Sequence, residues 1–240
     1  QILSSNLVSN GDFSQEGAEL VTNGNFANGS TGWTLESSWS IGDNVVIASG
    51  ASSNLAQISL TSGVSYKLTY EVVTSDNNNL LGYLGGNVAI SIPSTVGTHT
   101  VYGVSDGAYF VIRNQGFNGS ITNVSVKEVG QDWTLGTGWS IGEDKVIANS
   151  TSININQFLG NKQGVKLLIK FDVDFVSGSY IKAEIGGAFG DSISTSGRYS
   201  TIITPISTAG YLYIYGGNFT GTITNISVLE ITDDTNLPRI

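Results

Sequence analysis

Apolar and polar residues alternate with a period of two along a long stretch of the chain. Every second residue from Val165 to Phe175 is apolar, and four of the five residues between them, Lys166, Lys170, Asp172 and Asp174, are charged. Since successive side chains of a strand point to opposite faces, this period predicts a strand with one face in a core. The segment at 67–72 alternates in the same phase and predicts a second such strand.

Turn residues separate these alternating runs at short intervals. Asn10, Asn23, Asn28 and Asn118 are each followed by glycine, a pair that tolerates the positive φ angles of tight turns. Val, Ile, Thr and Tyr recur in short runs, whereas the chain has no Met and few other strong helix formers. The pattern predicts an all-β fold of antiparallel strands packed as two-sheet sandwiches.

The chain contains an internal repeat with a period close to one hundred residues. Its period fits whole sandwich domains in series better than a solenoid. We therefore predict two tandem β-sandwich domains, at 19–130 and 131–231. The segments at 33–35, 39–43 and 121–126 recur at 133–135, 139–143 and 223–228 with only conservative changes.

The two ends of the chain lie outside this repeat. Residues 7–13 echo 20–26, so one copy of the motif is surplus. The segment at 1–18 is interpreted as a lead-in strand that pairs with the sheet edge, the preceding domain or a neighbouring subunit, or else as a flexible remnant. Residues 232–240 are polar, contain Pro238 and are interpreted as a linker to a further region. Because the chain has no initiator Met, we expect a processed product or part of a longer chain.

Charge and composition exclude several classes of function. The formal net charge is −9 with only ten Lys and Arg, so a cationic nucleic-acid-binding surface is not expected. The absence of Cys excludes disulfides, thiolate metal sites and a Cys nucleophile. No apolar run reaches the length of about 18 residues needed for membrane insertion by a helix.

Several motifs resemble modules that are repeated in bacteriophage tail-fibre and other virion proteins. They are also similar to the jelly-roll carbohydrate-binding modules of bacterial glycoside hydrolases. The resemblance covers about 19–231 and implies two tandem antiparallel, jelly-roll-like sandwiches. The polar tail resembles the link that often precedes a lectin-like domain in such phage proteins. The motifs are Leu-Val-Thr-Asn-Gly-Asn-Phe at 20–26, Gly-Trp-Thr at 32–34, Trp-Ser-Ile-Gly at 39–42, Gly85-Gly86, and the closing segment at 117–128.

The same resemblance bears on a metal. The sugar-binding modules often hold a structural calcium with a carboxylate in the closing strand, where this chain has Asn123 and Asn225. A neutral amide lowers calcium affinity. A weak calcium site near Asn25, Asn123 and Asn225 is thus the only cofactor that the resemblance implies.

The sequence contains few combinations of residues that could form a catalytic site. His99 is the only histidine, so a Ser-His-Asp triad would have to be built around it in one repeat alone. Asp172 and Asp174 share a strand face, but the matching positions in the first repeat are Glu71 and Val73. A solvated strand face explains the two aspartates better than glycosidase chemistry does. We therefore expect a protein that is not an enzyme.

The aromatic residues divide into two sets. Those that recur at matching places in both repeats are assigned to the core, because position-matched aromatics at the heads of alternating runs are typical of packing residues. They are Trp33, Trp39, Trp133, Trp139, Phe117 and Phe219.

The second set is a tyrosine row at 211–215. If Leu212 and Ile214 point inward, Tyr211, Tyr213 and Tyr215 form a row on the outer face. Such a row suits three roles, namely cross-strand packing, contact with a partner subunit, or a glycan. On the neighbouring strand Tyr180, Lys182 and Glu184 also face outward, and the first repeat has Tyr109, Val111 and Arg113 in place of the row.

These observations predict a non-enzymatic structural and adhesion protein at a virion or extracellular surface, such as a phage tail fibre. Its sandwiches would serve as rigid spacers that can carry a glycan site. Its expected partners are copies of itself, other virion or filament subunits and, through the tyrosine row, a cell-surface glycan. Two alternatives remain. One is a subunit of an extracellular filament assembled by strand addition, and the other is an ancillary carbohydrate-binding region of a secreted polysaccharide-degrading enzyme.

Overall fold

The computed structural model describes residues 2–85 and 89–232. Within these ranges all regular secondary structure is strand, and the strands pair in antiparallel fashion into four sheets. The predicted all-β class of antiparallel sandwiches is confirmed. Gly86 of the predicted turn, and the predicted linker beyond Thr232, lie outside the described residues.

The described residues form two compact units. The inserted unit is Glu16–Val129, and the split unit consists of residues 2–15 together with 130–232. The inserted unit begins at Glu16 and the long part of the split unit at Gly130, whereas the internal repeat predicts domain starts at 19 and 131. The N-terminal segment, kept apart as 1–18 in the sequence, is divided between the two units.

The inserted unit is a sandwich of two sheets, in the orders β10-β7-β12-β5-β4 and β3-β6-β11-β8-β9, with β2 paired to β12. Side chains from both sheets meet in one apolar core, which includes Leu68, Ile121, Phe110 and Ile112. The strands are β2 (Glu16–Glu19), β3 (Thr34–Leu35), β4 (Trp39–Gly42), β5 (Val45–Ser49), β6 (Ser53–Ser59), β7 (Ser65–Ser75), β8 (Asn79–Gly85), β9 (Ala89–Ile92), β10 (Gly97–Val104), β11 (Tyr109–Gln115) and β12 (Asn118–Val129).

The split unit repeats this architecture. Its sheets have the orders β14-β15-β22-β17-β20 and β13-β16-β21-β18-β19, with β1 paired to β22. The alternating run that the sequence singled out is β17, whose Leu167, Ile169 and Phe171 are buried. The strands are β1 (Ile2–Leu3), β13 (Thr134–Leu135), β14 (Trp139–Gly142), β15 (Lys145–Thr151), β16 (Asn154–Phe158), β17 (Leu167–Ser177), β18 (Tyr180–Ile185), β19 (Ala188–Phe189), β20 (Gly197–Ile203), β21 (Tyr211–Gly217) and β22 (Phe219–Thr232).

The surplus motif at the N-terminus is an integral part of the split unit. Ile2 pairs with Thr232 across β1 and β22. Phe13 is 1% exposed, and its ring lies 5.3 Å from that of Trp133. The side-chain amide of Gln157 accepts a hydrogen bond from Ser9 N (2.8 Å) and donates one to Ser9 O (2.9 Å). Among the partners left open by the sequence, the structure thus places the segment on the closing strand of its own chain.

The same arrangement recurs in the inserted unit with its own copy of the motif. Phe26 lies 5.2 Å from Trp33, and Gln57 pairs in both directions with the backbone of Thr22. Each unit therefore has one N-terminal motif, which explains why the chain carries two copies for two repeats.

Each motif packs against a β-bulge in the closing strand. The bulges contain Asn123 (φ 51°) and Asn225 (φ 55°), residues that tolerate a left-handed conformation. A Cβ atom at Gly24 would lie 1.9 Å from Val124 O, and one at Gly11 would lie 2.0 Å from Ile226 O. Only glycine allows the backbone of the motif to approach the bulge this closely.

Candidate functional site

The outer face of one sheet of the split unit carries a dense set of aromatic side chains. Strand β21 alternates as the sequence predicts: Leu212 and Ile214 are fully buried, Tyr211 is 41% exposed, and Tyr213 and Tyr215 are half-buried. Neighbouring strands add rings to the same face. We call this set the aromatic face; its rings are Phe158, Tyr180, Phe189, Tyr211, Tyr213 and Tyr215.

The strand register brings these rings together. Phe158 of β16 lies opposite Tyr211, and Lys182 of β18 lies opposite Tyr215. The ring centroids of Phe158 and Tyr211 are 5.0 Å apart, and the two steps along the tyrosine row are 5.8 Å each. Such spacings are those of tilted aromatic pairs. The row is continuous from Phe158 to Tyr215.

Beyond Tyr215 the row ends in a cation held between two rings. The centroid of Phe189 lies 6.5 Å from that of Tyr215. The Lys182 Nζ lies 4.5 Å from the centroid of Phe189 and 5.0 Å from that of Tyr180. These are cation–π distances. The structure therefore brings Tyr180 and Lys182 to the same site as the tyrosine row.

Glu184 occupies a different position from its neighbours on β18. It lies opposite Tyr213 in the register but is only 7% exposed, and its Oε1 accepts a hydrogen bond from Gly187 N. Burial, and then the negative charge of Glu184 and the proximity of Tyr213, raise the pKa of Tyr215. The Tyr215 hydroxyl is therefore neutral near neutral pH and can donate a hydrogen bond.

Polar groups and a groove border the rings. Asn154 and Asn156 lie opposite Tyr215 and Tyr213 on β16, so two amide side chains share this face with the rings. A groove of about 420 Å³ adjoins Phe189 and is lined also by Asp191, Thr201 and Ile202 among others. Rings with a few polar groups beside them are typical of small-molecule sites.

The corresponding sheet of the inserted unit lacks such a row. Tyr109 is 66% exposed, but Val111 and Arg113 follow it where the split unit has tyrosines. The Arg113 guanidinium donates hydrogen bonds to Ser52 Oγ at 3.3 and 3.4 Å. The tyrosine row is therefore a property of one unit and is not required by the fold.

The sequence reasoning missed two rings of the aromatic face, Phe158 and Phe189, which are 64% and 58% exposed. Each ends a short strand, so alternation alone gives no strong signal for either. The available signal was a large apolar ring close to a glycine that can form a turn, namely Gly160 after Phe158 and Gly190 after Phe189.

The aromatic residues assigned to the core are buried. The four tryptophans are between 4% and 8% exposed, and Phe117 and Phe219 are fully buried. Each indole N–H donates to a backbone carbonyl, for example from Trp33 to Asn23 O at 3.1 Å and from Trp139 to Ile153 O at 2.9 Å. These rings present no flat surface to a ligand. The full set is Trp33, Trp39, Trp133, Trp139, Phe117 and Phe219.

The three asparagines proposed for calcium have other partners. The Asn123 amide donates to Glu71 Oε2 and the Asn225 amide to Asp172 Oδ2, both at 2.8 Å. Asn25 Oδ1 accepts from Ala27 N at 3.2 Å. Among residues 2–85 and 89–232, no group of three or more His, Asp or Glu side chains is placed to hold a metal ion.

The titratable groups considered for catalysis make local contacts. His99 Nε2 lies 2.6 Å from Thr95 O, and the centroid of its ring lies 5.5 Å from that of Tyr70 in a tilted arrangement. Asp172 accepts from Arg198 Nε at 3.1 Å, and Asp174 accepts from Ser196 Oγ at 3.2 Å. In the described part of the chain, His99, Asp172 and Asp174 form no hydrogen bonds with one another.

No family model and no curated protein matches the sequence. Within the described residues no helix is long and apolar enough to cross a membrane. Among solved structures the chain is similar to the N-terminal CBM22-1–CBM22-2 tandem domain of Paenibacillus barcinonensis Xyn10C, with a TM-score of 0.34 and 10% identity over 91% of this chain and 99% of that one.

Proposed function

We propose that this chain is a non-catalytic adhesion module that binds a glycan on the aromatic face of its split unit. The observation that supports this function best is the continuous row from Phe158 through Tyr211 and Tyr213 to Tyr215, with centroid steps of 5.0, 5.8 and 5.8 Å. Flat, rigid rings offer contact area to sugar rings at low entropic cost, and their hydroxyls offer hydrogen bonds.

The environment of the row favours a ligand over simple packing. Tyr211 and the two flanking phenylalanines, Phe158 and Phe189, are between 41% and 64% exposed. Cross-strand packing alone gains little from rings that remain in water, because apolar stabilisation follows the area removed from water. A contiguous exposed aromatic surface is typical of a binding site.

We propose further that the chain serves in a virion or another extracellular appendage, as a structural and adhesion component. The support is the resemblance of the repeated motifs to phage tail-fibre modules and the low charge content of 12%. An ancillary carbohydrate-binding region of a secreted enzyme would use the same face. A calcium ion near Asn25, Asn123 and Asn225 stays a proposal, to be tested by calcium-dependent thermal stability.

The filament alternative depends on whether residues 2–15 can pair with a neighbouring subunit. Residues 2–15 already complete the split unit of their own chain, so strand addition to a neighbour would require this segment to leave. The buried position of Phe13 opposes that exchange. Contact between subunits through the aromatic face needs no such step and is the stronger form of this candidate.

The test is a glycan array followed by calorimetry on the strongest glycan. Tyr213→Ala should weaken binding about tenfold or more, because it removes the ring at the centre of the row. Tyr109→Ala is the matched control, since it removes an exposed ring from the corresponding strand of the inserted unit. Equal affinities for wild type and Tyr213→Ala would refute the assignment. Concentration-dependent self-association lost in Tyr213→Ala, without any glycan signal, would favour subunit contact.

A further inference from the structure

Among the described residues, Lys182 is the one basic side chain that packs on the rings of the aromatic face. Its ammonium lies between the rings of Phe189 and Tyr180, at 4.5 and 5.0 Å from their centroids. Four other basic side chains of the described residues form ion pairs with carboxylates, namely Lys67, Lys127, Lys162 and Arg198. In those residues no carboxylate lies within ion-pair distance of Lys182.

The nearest acid along the strand, Glu184, forms no ion pair with Lys182. Glu184 follows two residues later on the same face, but it is 7% exposed and its Oε1 is engaged by Gly187 N. The other polar neighbours on the face, Asn154 and Asn156, are uncharged. Among the described residues a ligand that approaches the face thus meets one accessible cation beside rings and amides, and one exposed carboxylate, that of Asp191, in the groove next to Phe189.

We infer that the aromatic face selects acidic glycans, in which a carboxylate on the sugar ring pairs with Lys182 while neighbouring sugar rings stack on Tyr213 and Tyr215. This inference rests on the proposed function and adds the class of sugar. A uronic acid fits because it combines a ring that can stack with a single negative charge. A doubly charged phosphate is better matched by the bidentate guanidinium of Arg, which this face lacks.

The ligand charge can be removed without changing the sugar. Oligogalacturonate and its fully methyl-esterified form serve as matched probes in calorimetry with the full chain. Wild type should bind the acid about fivefold to tenfold more tightly than the ester, as expected for one charge-assisted hydrogen bond at a partly exposed site. Rising salt should reduce this preference, because it screens exposed charges.

Substitutions test whether Lys182 causes the preference for the acid over the ester. Lys182→Gln should reduce the ratio of acid affinity to ester affinity to about one, and Lys182→Arg should retain the preference. Lys170→Gln is the matched control, because Lys170 is an exposed lysine on β17, in the other sheet of the same unit. It should change neither affinity.

The outcomes separate this inference from the proposed function. If wild type binds both probes equally, or if the array gives only neutral glycans that depend on Tyr213, acid selection is wrong and the glycan site stands. A preference that survives in Lys182→Gln also overturns the inference. If no glycan of any charge binds, both proposals fail.

Discussion

Replacing Phe13 with Ala should destabilise the split unit and leave the inserted unit unchanged. Phe13 is separated by more than one hundred residues from the 130–232 part of its unit, yet it is 1% exposed and its ring lies 5.3 Å from that of Trp133. A substitution near the N-terminus is therefore expected to act on strands at 130–232 and to spare the adjoining strands at 16–129.

The magnitude follows from burial. A fully buried Phe truncated to Ala costs about 3–5 kcal/mol, from lost transfer energy and from the cavity that remains. A domain of this size has a free energy of unfolding of about 5–15 kcal/mol, so the loss is a large fraction of the total. The hydrogen bonds between Ser9 and Gln157 remain possible in the variant, which limits the effect to packing.

Hydrogen exchange with peptide-level mass spectrometry distinguishes the units. In Phe13→Ala the slowest amides of β17 and β22 should exchange roughly a hundredfold faster or more, while β7 and β12 keep their wild-type rates. Phe26→Ala is the matched control, since it truncates the equivalent ring of the inserted unit and should give the reverse pattern. Faster exchange in β7 and β12 of Phe13→Ala, with β17 and β22 unaffected, would show that the N-terminal motif does not belong to the split unit.

Two further predictions concern the inserted unit. Hydrogen bonds to Asp76, above all from the side chain of Asn118, hold its pKa at about 2. Because the pKa is lower in the folded than in the unfolded chain, the ionised carboxylate stabilises the fold above about pH 4. That stabilisation is lost as the pH falls towards 2. The difference in urea midpoint between wild type and Asp76→Asn should thus shrink over that range, and a difference independent of pH would contradict this role. Gly24→Ala places a Cβ 1.9 Å from Val124 O and should cost about 3 kcal/mol in urea unfolding, whereas Gly42→Ala, whose Cβ would make an ordinary 3.5 Å contact, should have little effect.

The strands and the tyrosine row were predictable because both depend on local alternation. The period of two between Val165 and Phe175 identified β17, and the same period placed Tyr211, Tyr213 and Tyr215 on one side of β21. Phe158 and Phe189 join the row only through the register of β16, β18 and β19 with their neighbours. Register between strands is set by tertiary packing, which the sequence pattern of a two-residue or five-residue strand does not specify.

The assignment of the N-terminal motif at 7–13 to the split unit depends on contacts between residues that are distant in the sequence. Two nearly identical motifs, 7–13 and 20–26, precede Trp33 of the first repeat, and the second repeat has none before Trp133. The count of one motif per repeat was available, but chain proximity favoured treating the first copy as an appendage. Likewise, Asn123 and Asn225 matched positions of calcium ligands in the resembled modules, while the bulge that requires their positive φ is visible only in three dimensions.

The pairing of Ile2 with Thr232 has a mechanical consequence. Any polypeptide that continues from the two ends of this unit would leave from neighbouring points, so the module would add almost no length to a rod and would attach to it as a side branch. Tension between those ends would separate β1 from β22 one antiparallel residue pair at a time. The N-terminal motif would then detach before the tension reached Glu16–Val129.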